Sequence, residues 1–191
     1  MKVCIFAASS SRVDNDFRIV AEQLGSMLAR DGKEVVFGGG GIGLMGWLAD
    51  SVIAHGGKIT GVIPQFMQDE GWGHDGLTET IVTTGMSERK KKMFDMSDAV
   101  VALPGGIGTL EELTEAITLK QLSLFNGPVI ILNTNGYYDS LLAFIDHMVE
   151  NRFMRSQHKG IWQVVKTPGE VIDALNKRPP GDEEWRKTAK I

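Results

Sequence analysis

The stretch Glu34-Val35-Val36-Phe37-Gly38-Gly39-Gly40-Gly41-Ile42-Gly43-Leu44-Met45-Gly46 decides the fold. Its first four residues are rich in β-branched and aromatic side chains, as in a buried strand. Glycines end the strand at once, and apolar positions then recur at helical spacing through Leu44–His55, where Gly56-Gly57 stops the helix. A strand that runs through glycines straight into a helix is the repeating unit of a parallel sheet. The same grammar returns later: Ala99–Leu103 reads as a strand, Pro104-Gly105-Gly106 breaks it, and Leu110–Phe125 reads as a long helix.

Working outward, further short apolar runs predict strands at Val3–Ala8, Lys58–Ile63, Thr80–Thr83, Val129–Leu132 and Trp162–Val165. Helical spacing covers Phe17–Arg30, Ser87–Met96, Tyr138–Val149 and Gly169–Asn176. The alternation predicts an α/β protein with a doubly wound parallel sheet and helices on both faces. Ligands bind such sheets beyond the carboxyl ends of the strands, so the loops after Ala8, Phe37 and Leu103 matter most. Gln65–Gly76 is the least regular stretch, with Glu70 and His74 as candidate ligands only, since solvent-facing loop residues need no function.

The 191 residues suit one domain, placed at 1–177, with a polar tail over 178–191. Apolar residues make up 42% and the net charge is −4, which gives no sign of a nucleic-acid or membrane partner. Any anionic ligand must therefore be held locally. The lone cysteine, Cys4, builds neither a disulfide framework nor a cysteine metal site and reads as a small buried hydrophobe. The apolar run Val3–Ala8 is too short for a signal peptide or a membrane span, and a cytoplasmic protein is expected.

Both glycine loops lead into a helix, whose N-terminus carries partial positive charge and unpaired N–H donors suited to phosphate. Gly38-x-Gly40-x-x-Gly43 fits the dinucleotide pattern, but it follows the second strand and the next strand ends Val62-Ile63-Pro64 without an acid, which argues against NAD. On spacing alone this loop is either a tight turn with close backbone packing or a ligand contact. In the second loop Gly105, Gly106 and Gly108 can present successive N–H groups as an anion nest, with the Thr109 hydroxyl beside them. No Gly-Lys-Ser/Thr follows, so it is not a Walker loop. Thr109-x-x-Glu112 has the spacing of a capping box, and that is the expectation from spacing.

Ser87-Glu88-Arg89-Lys90-Lys91-Lys92 sets four cations near a helix start, a position that disfavours positive charge. If Ser87 caps the helix, the cost is offset either by solvent or by a nearby acid such as Glu112. Composition favours a solvated face, with Lys91 and Lys92 outward. His55, His74, His147 and His158 show no metal spacing, and no Gly-x-Ser-x-Gly elbow occurs. Ser9-Ser10-Ser11 either meets a ligand or starts the following helix.

Taken together, Gly38-Gly39-Gly40-x-x-Gly43-Leu44-Met45-Gly46, Met86-x-x-Arg89-Lys90 and Pro104-Gly105-Gly106-x-Gly108-Thr109-x-x-Glu112 resemble the signature set of the Lonely Guy family. Gly61-Val62-Ile63-Pro64 and Gly136-Tyr137-Tyr138-Asp139-x-Leu141-Leu142 add to the likeness, which runs over about residues 1–155. The resemblance implies a Rossmann-like fold and hydrolysis of N6-modified adenosine 5′-monophosphates to free base and ribose 5-phosphate, with plain AMP accepted by many members. It also implies a homodimer with the active site at the subunit interface. Members have often been labelled lysine decarboxylases, a name that this chemistry does not support.

Carried over by position, Arg89 and Glu112 match the family's catalytic pair. Lys90, Gly106, Gly108, Thr109, Glu111 and Thr118 match substrate contacts, and Gly105, Ile107, Leu110, Ser9, Gly39, Gly40 and Met86 complete the expected binding site. Glu112 would then be cap and catalyst at once. The chain departs from the family at Ala7-Ala8, Ser87, Ile107 and Leu119, where relatives usually carry Cys-Gly, His, Tyr and Trp; the last two bear on base preference. No metal or redox cofactor is expected. Two alternatives stand beside this reading: a general purine nucleoside-monophosphate nucleosidase for salvage, and a non-enzymatic carrier like the molybdenum-cofactor carrier proteins. A carrier would have no need of Arg89-Lys90 with Glu112.

Overall fold

The computed structural model describes residues 1–177, so the tail expected over 178–191 lies outside the described residues. Seven strands form one parallel sheet: β1 (Lys2–Phe6), β2 (Glu34–Phe37), β3 (Ile59–Pro64), β4 (Glu79–Thr83), β5 (Ala99–Ala102), β6 (Val129–Leu132) and β7 (Trp162–Val165). Their order is β4-β3-β2-β1-β5-β6-β7, with β1 at the centre and every pairing parallel. The chain winds outward from β1 to one edge, then crosses back to β5 and winds to the other. Loops on either side of β1 therefore diverge at the β1–β5 boundary, where such sheets open a crevice.

Seven α-helices connect them: α1 (Asn15–Arg30), α2 (Gly43–Ala54), α3 (Gln65–Asp69), α4 (Met86–Asp95), α5 (Ile107–Gln121), α6 (Asp139–Glu150) and α7 (Pro168–Asn176). Strand alternation divides the core in two. Val3 and Ile5 of β1 point to one face and pack with Leu24, Leu48 and Leu175 from α1, α2 and α7. Cys4 and Phe6 point to the other and pack with Met93, Leu113 and Ile145 from α4, α5 and α6. Each such side chain, fully buried, contributes about 1.5–3 kcal/mol, which explains why β5 and β6 are apolar throughout and buried at every position. Cys4 is fully buried, as its place in the strand suggested.

The irregular stretch after β3 is more ordered than its pattern suggests. It holds the short helix α3 and then doubles back, pairing Gly73 with Gly40 in an isolated antiparallel bridge. Trp72 and Gly39 accept from the Gly41 and His74 N–H groups, so the segment is fastened to the first glycine loop by backbone bonds that no side-chain pattern reveals. His74 turns to Asp50 of α2, 3.0 Å away, and Glu70 ends α3 in solvent.

Candidate active site

The loops after β1, β2 and β5 meet above the sheet. The Ala8 N–H donates to the Pro104 carbonyl, and the Ala8 carbonyl accepts from Met45 at the start of α2. Gly43 has φ +69°, and a Cβ there would lie 2.5 Å from the Ser9 and Ser10 backbone, so only glycine lets the β1 loop sit on α2. This close packing is the first of the two readings of the glycine loop. Ser9 contributes backbone bulk, while its own residue is exposed.

Arg89 crosses this floor. It emerges from α4, its Nε donates to the Val62 carbonyl at 2.9 Å and its Nη2 to the Gly38 carbonyl at 3.3 Å. Nη1 donates to Glu112 Oε1 at 2.9 Å. A Cβ on Gly38 would lie 2.0 Å from Nη2, so the glycine leaves space that the guanidinium occupies. Both partners are buried, Arg89 to 6% exposure and Glu112 to 8%. Burial pushes the Glu112 carboxyl above its ordinary range, and the Arg89 charge opposes but does not cancel that rise. Beneath the pair, burial and then the Glu112 charge push the Cys4 thiol up, so it remains a protonated apolar filler.

A second ion cluster lies alongside. Lys90 Nζ donates to Glu111 and lies 2.8 Å from Glu115 Oε2. These bonds hold Lys90 charged over a wider pH range than usual. Glu115 was not among the expected residues, although its position four after Glu111 puts both acids on one helix face. Thr118 continues that face, and its hydroxyl turns back to the Thr114 carbonyl at 2.8 Å. The crowded cations of α4 thus divide: Arg89 and Lys90 take acids from α5, while Lys91 and Lys92 are exposed.

Two expected caps are corrected. The N-cap of α4 is Gly85, and Ser87 lies inside the helix; Glu88 instead accepts from the Thr84 N–H and hydroxyl at 2.9 and 2.7 Å. The N-cap of α5 is Gly106 and makes no side-chain cap bond, so Thr109 and Glu112 form no capping box. Because the helix begins at Ile107, Glu112 lies in its second turn and is free to bond Arg89. The expected anion nest is also simpler: Gly105, Gly106 and Gly108 have no positive φ.

What the second loop offers is a helix start with its carbonyls tied back. Leu103 and Gly105 accept from the Tyr138 and Tyr137 hydroxyls, each at 2.6 Å. Pro104 accepts from Ala8, and Gly106 from Leu110. No protein acceptor among the described residues takes the N–H groups of Gly106, Ile107, Gly108 and Thr109. This edge is therefore electropositive and exposed, as an anion site at a helix N-terminus must be. Ile107 stands on this edge, 80% exposed, and Met86 at the start of α4 is 39% exposed. Gly39 and Gly40 face the Gln65–Gly76 segment instead, through the bonds to His74 and Gly73.

Comparison with known proteins identifies the family. A family model described as possible lysine decarboxylase matches residues 45–175. A probable cytokinin riboside 5′-monophosphate phosphoribohydrolase of Oryza sativa subsp. japonica is 40% identical, over 94% of this chain and 73% of its own. A cytokinin riboside 5′-monophosphate phosphoribohydrolase of Arabidopsis thaliana is 38% identical, over 94% and 83%. Among solved structures, the molybdenum cofactor carrier protein of Chlamydomonas reinhardtii superposes with a TM-score of 0.70 at 22% identity, covering 91% of this chain and 94% of that one. The molybdenum cofactor binding protein of the phototrophic bacterium Rippkaea orientalis gives 0.69 at 22%, with coverage of 91% and 94%. At such identity these structures speak for the Rossmann-like fold alone. The family model spans most of the chain and the plant relatives match nearly all of it, so the chain belongs to the Lonely Guy family, the group that this model describes as possible lysine decarboxylases.

Proposed function

We propose that this protein hydrolyses the N-glycosidic bond of purine nucleoside 5′-monophosphates, with N6-modified adenosine monophosphates as the favoured class. The carrying observation is the buried pair of Arg89 from α4 with Glu112 from α5, the helix that begins with the free N–H groups of Gly106–Thr109. Those donors take the 5′-phosphate. Glu112 faces the ribose, stabilises positive charge developing at C1′ and directs water to it. The C1′–N9 bond breaks, its electron pair leaves with the base, and a proton from water ends on the base. Arg89 holds Glu112: its guanidinium is already spread over two carbonyls and the carboxylate. Lys90 is engaged by Glu111 and Glu115, which supports a role in setting α4 against α5 as much as direct substrate contact.

The bond that breaks can be read directly. Reaction in heavy-oxygen water should place the label on C1 of ribose 5-phosphate. Label in inorganic phosphate, with adenosine as the second product, would make the protein a phosphatase and contradict the proposal. Relative rates on AMP and isopentenyladenosine monophosphate separate general salvage from cytokinin activation.

A second copy of the chain is the proposed partner. Ile107 leaves an exposed apolar side chain at the site mouth, and Met86, Leu124, Phe144 and Phe153 add exposed apolar surface at 39%, 68%, 55% and 88%. Apolar side chains this exposed favour a covered interface. Sedimentation equilibrium should give at least a dimer; a monomer at micromolar concentration would contradict it.

A further inference from the structure

We propose that Tyr137 is a positioning residue that sets the anion-binding edge of the site through the Gly105–Gly106 peptide. Its hydroxyl donates to the Gly105 carbonyl at 2.6 Å. No peptide bond among the described residues is cis. In a planar trans peptide the carbonyl and the following N–H point in opposite directions. Holding the Gly105 carbonyl therefore fixes the direction of the Gly106 N–H, the first of the four donors without a protein acceptor.

The tyrosine is itself well placed for this. Its ring meets Phe17 and Tyr138 edge-on, with centroids 5.9 and 5.1 Å away. The preceding turn, Thr134–Gly136, is braced by Asn135, whose amide donates to Asp16 of α1 at 3.0 Å. Asn133 holds the next step, accepting from the Tyr138 N–H and donating to Asp139, each at 2.7 Å. The hydroxyl thus reaches Gly105 from a rigid base. Glycine itself resists little: a Cβ at Gly105 would meet the Thr109 side chain first, and one at Gly106 would meet nothing within 4 Å. The hydroxyl goes to Gly105, and the hydrogen bonds of Arg89 and Glu112 do not involve Tyr137.

This inference rests on the loop binding phosphate, and calorimetry with the two products tests both levels. Ribose 5-phosphate carries the phosphate; adenine does not. Tyr137→Phe keeps both ring contacts and removes only the hydroxyl. The variant should weaken ribose 5-phosphate binding about threefold to tenfold, the scale of one hydrogen bond, and leave adenine unchanged. Equal weakening of both ligands would mean a general structural role, and no weakening of either would mean the hydroxyl is idle; each overturns the proposal while the function stands. If the unaltered protein binds ribose 5-phosphate no better than ribose, the phosphate reading of the loop fails, and this proposal with it.

Discussion

At the scale of single residues, Glu112 and Arg89 govern the chemistry. Glu112→Gln keeps the shape and an oxygen for Arg89 but removes the charge; hydrolysis should fall about a hundredfold or more. Survival within a few-fold would take Glu112 out of the mechanism. The pH response has a definite sign. Burial raises the Glu112 carboxyl in the folded state. Catalysis needs the carboxylate, so kcat/KM should fall as pH drops, with its inflection above the ordinary carboxylate range. Stability moves the other way. The fold favours the protonated acid, so this group's contribution to stability grows as pH falls through its folded pKa toward its unfolded one. An activity loss at acid pH that tracked unfolding would contradict this. Arg89→Ala leaves Glu112 buried and unpaired; it should abolish turnover and cost about 3–5 kcal/mol in a denaturant melt. Unchanged kinetics would exclude Arg89 from the mechanism. These two residues were named from motif resemblance. Their actual bond was only one of several options in the sequence, because spacing alone favoured Glu112 as a cap of its own helix. The Gly38 and Val62 carbonyls that hold Arg89 carry no sequence signal at all, since any residue supplies a carbonyl.

At the scale of elements, α4 and α5 are joined by side-by-side ion pairs, Arg89–Glu112 inside and Lys90 with Glu111 and Glu115 outside. Lys90→Met keeps much of the stem and removes the charge, leaving two carboxylates one turn apart on α5. For partly exposed groups the loss should be about 1 kcal/mol or less, a fall in melting temperature of about 2–4 °C or less for a chain of this size. The larger effect should be on catalysis, as Arg89 loses its register against Glu112. A melting temperature that drops with kcat/KM unchanged would make the outer pair purely structural. The elements themselves were largely legible. Val129–Leu132 falls where the apolar run ends, because a continuous run of this kind between Pro128 and Asn133 leaves little choice, and Trp162–Val165 is also a strand although Gln163 interrupts its pattern. The helix starts were less so. Helices α4 and α5 both begin earlier than their polar residues suggested, on glycines that make no side-chain cap bond. Helix α3 was missed because five residues are too few to show a period.

At the scale of the whole molecule, one parallel sheet carries two apolar cores and brings three loops together at its central boundary. Strand–helix alternation was enough to expect the parallel sheet, and the crevice position follows from the reversal of winding at the boundary between β1 and β5. What alternation does not specify is which loop carries function. The first glycine loop, the more conspicuous in sequence, has its backbone pinned by Gly73 and His74, and its carbonyl at Gly38 supports Arg89. The second loop has its carbonyls tied back and four successive N–H groups without a protein acceptor among the described residues. No helix among the described residues is long and apolar enough to cross a membrane. The most direct test of the account is chromatography of AMP and isopentenyladenosine monophosphate after incubation with the purified protein, beside the Glu112→Gln variant. Free base from at least one nucleotide, lost in the variant, is the predicted result. No base from either, with the protein folded, would contradict the account and favour a binding protein without turnover.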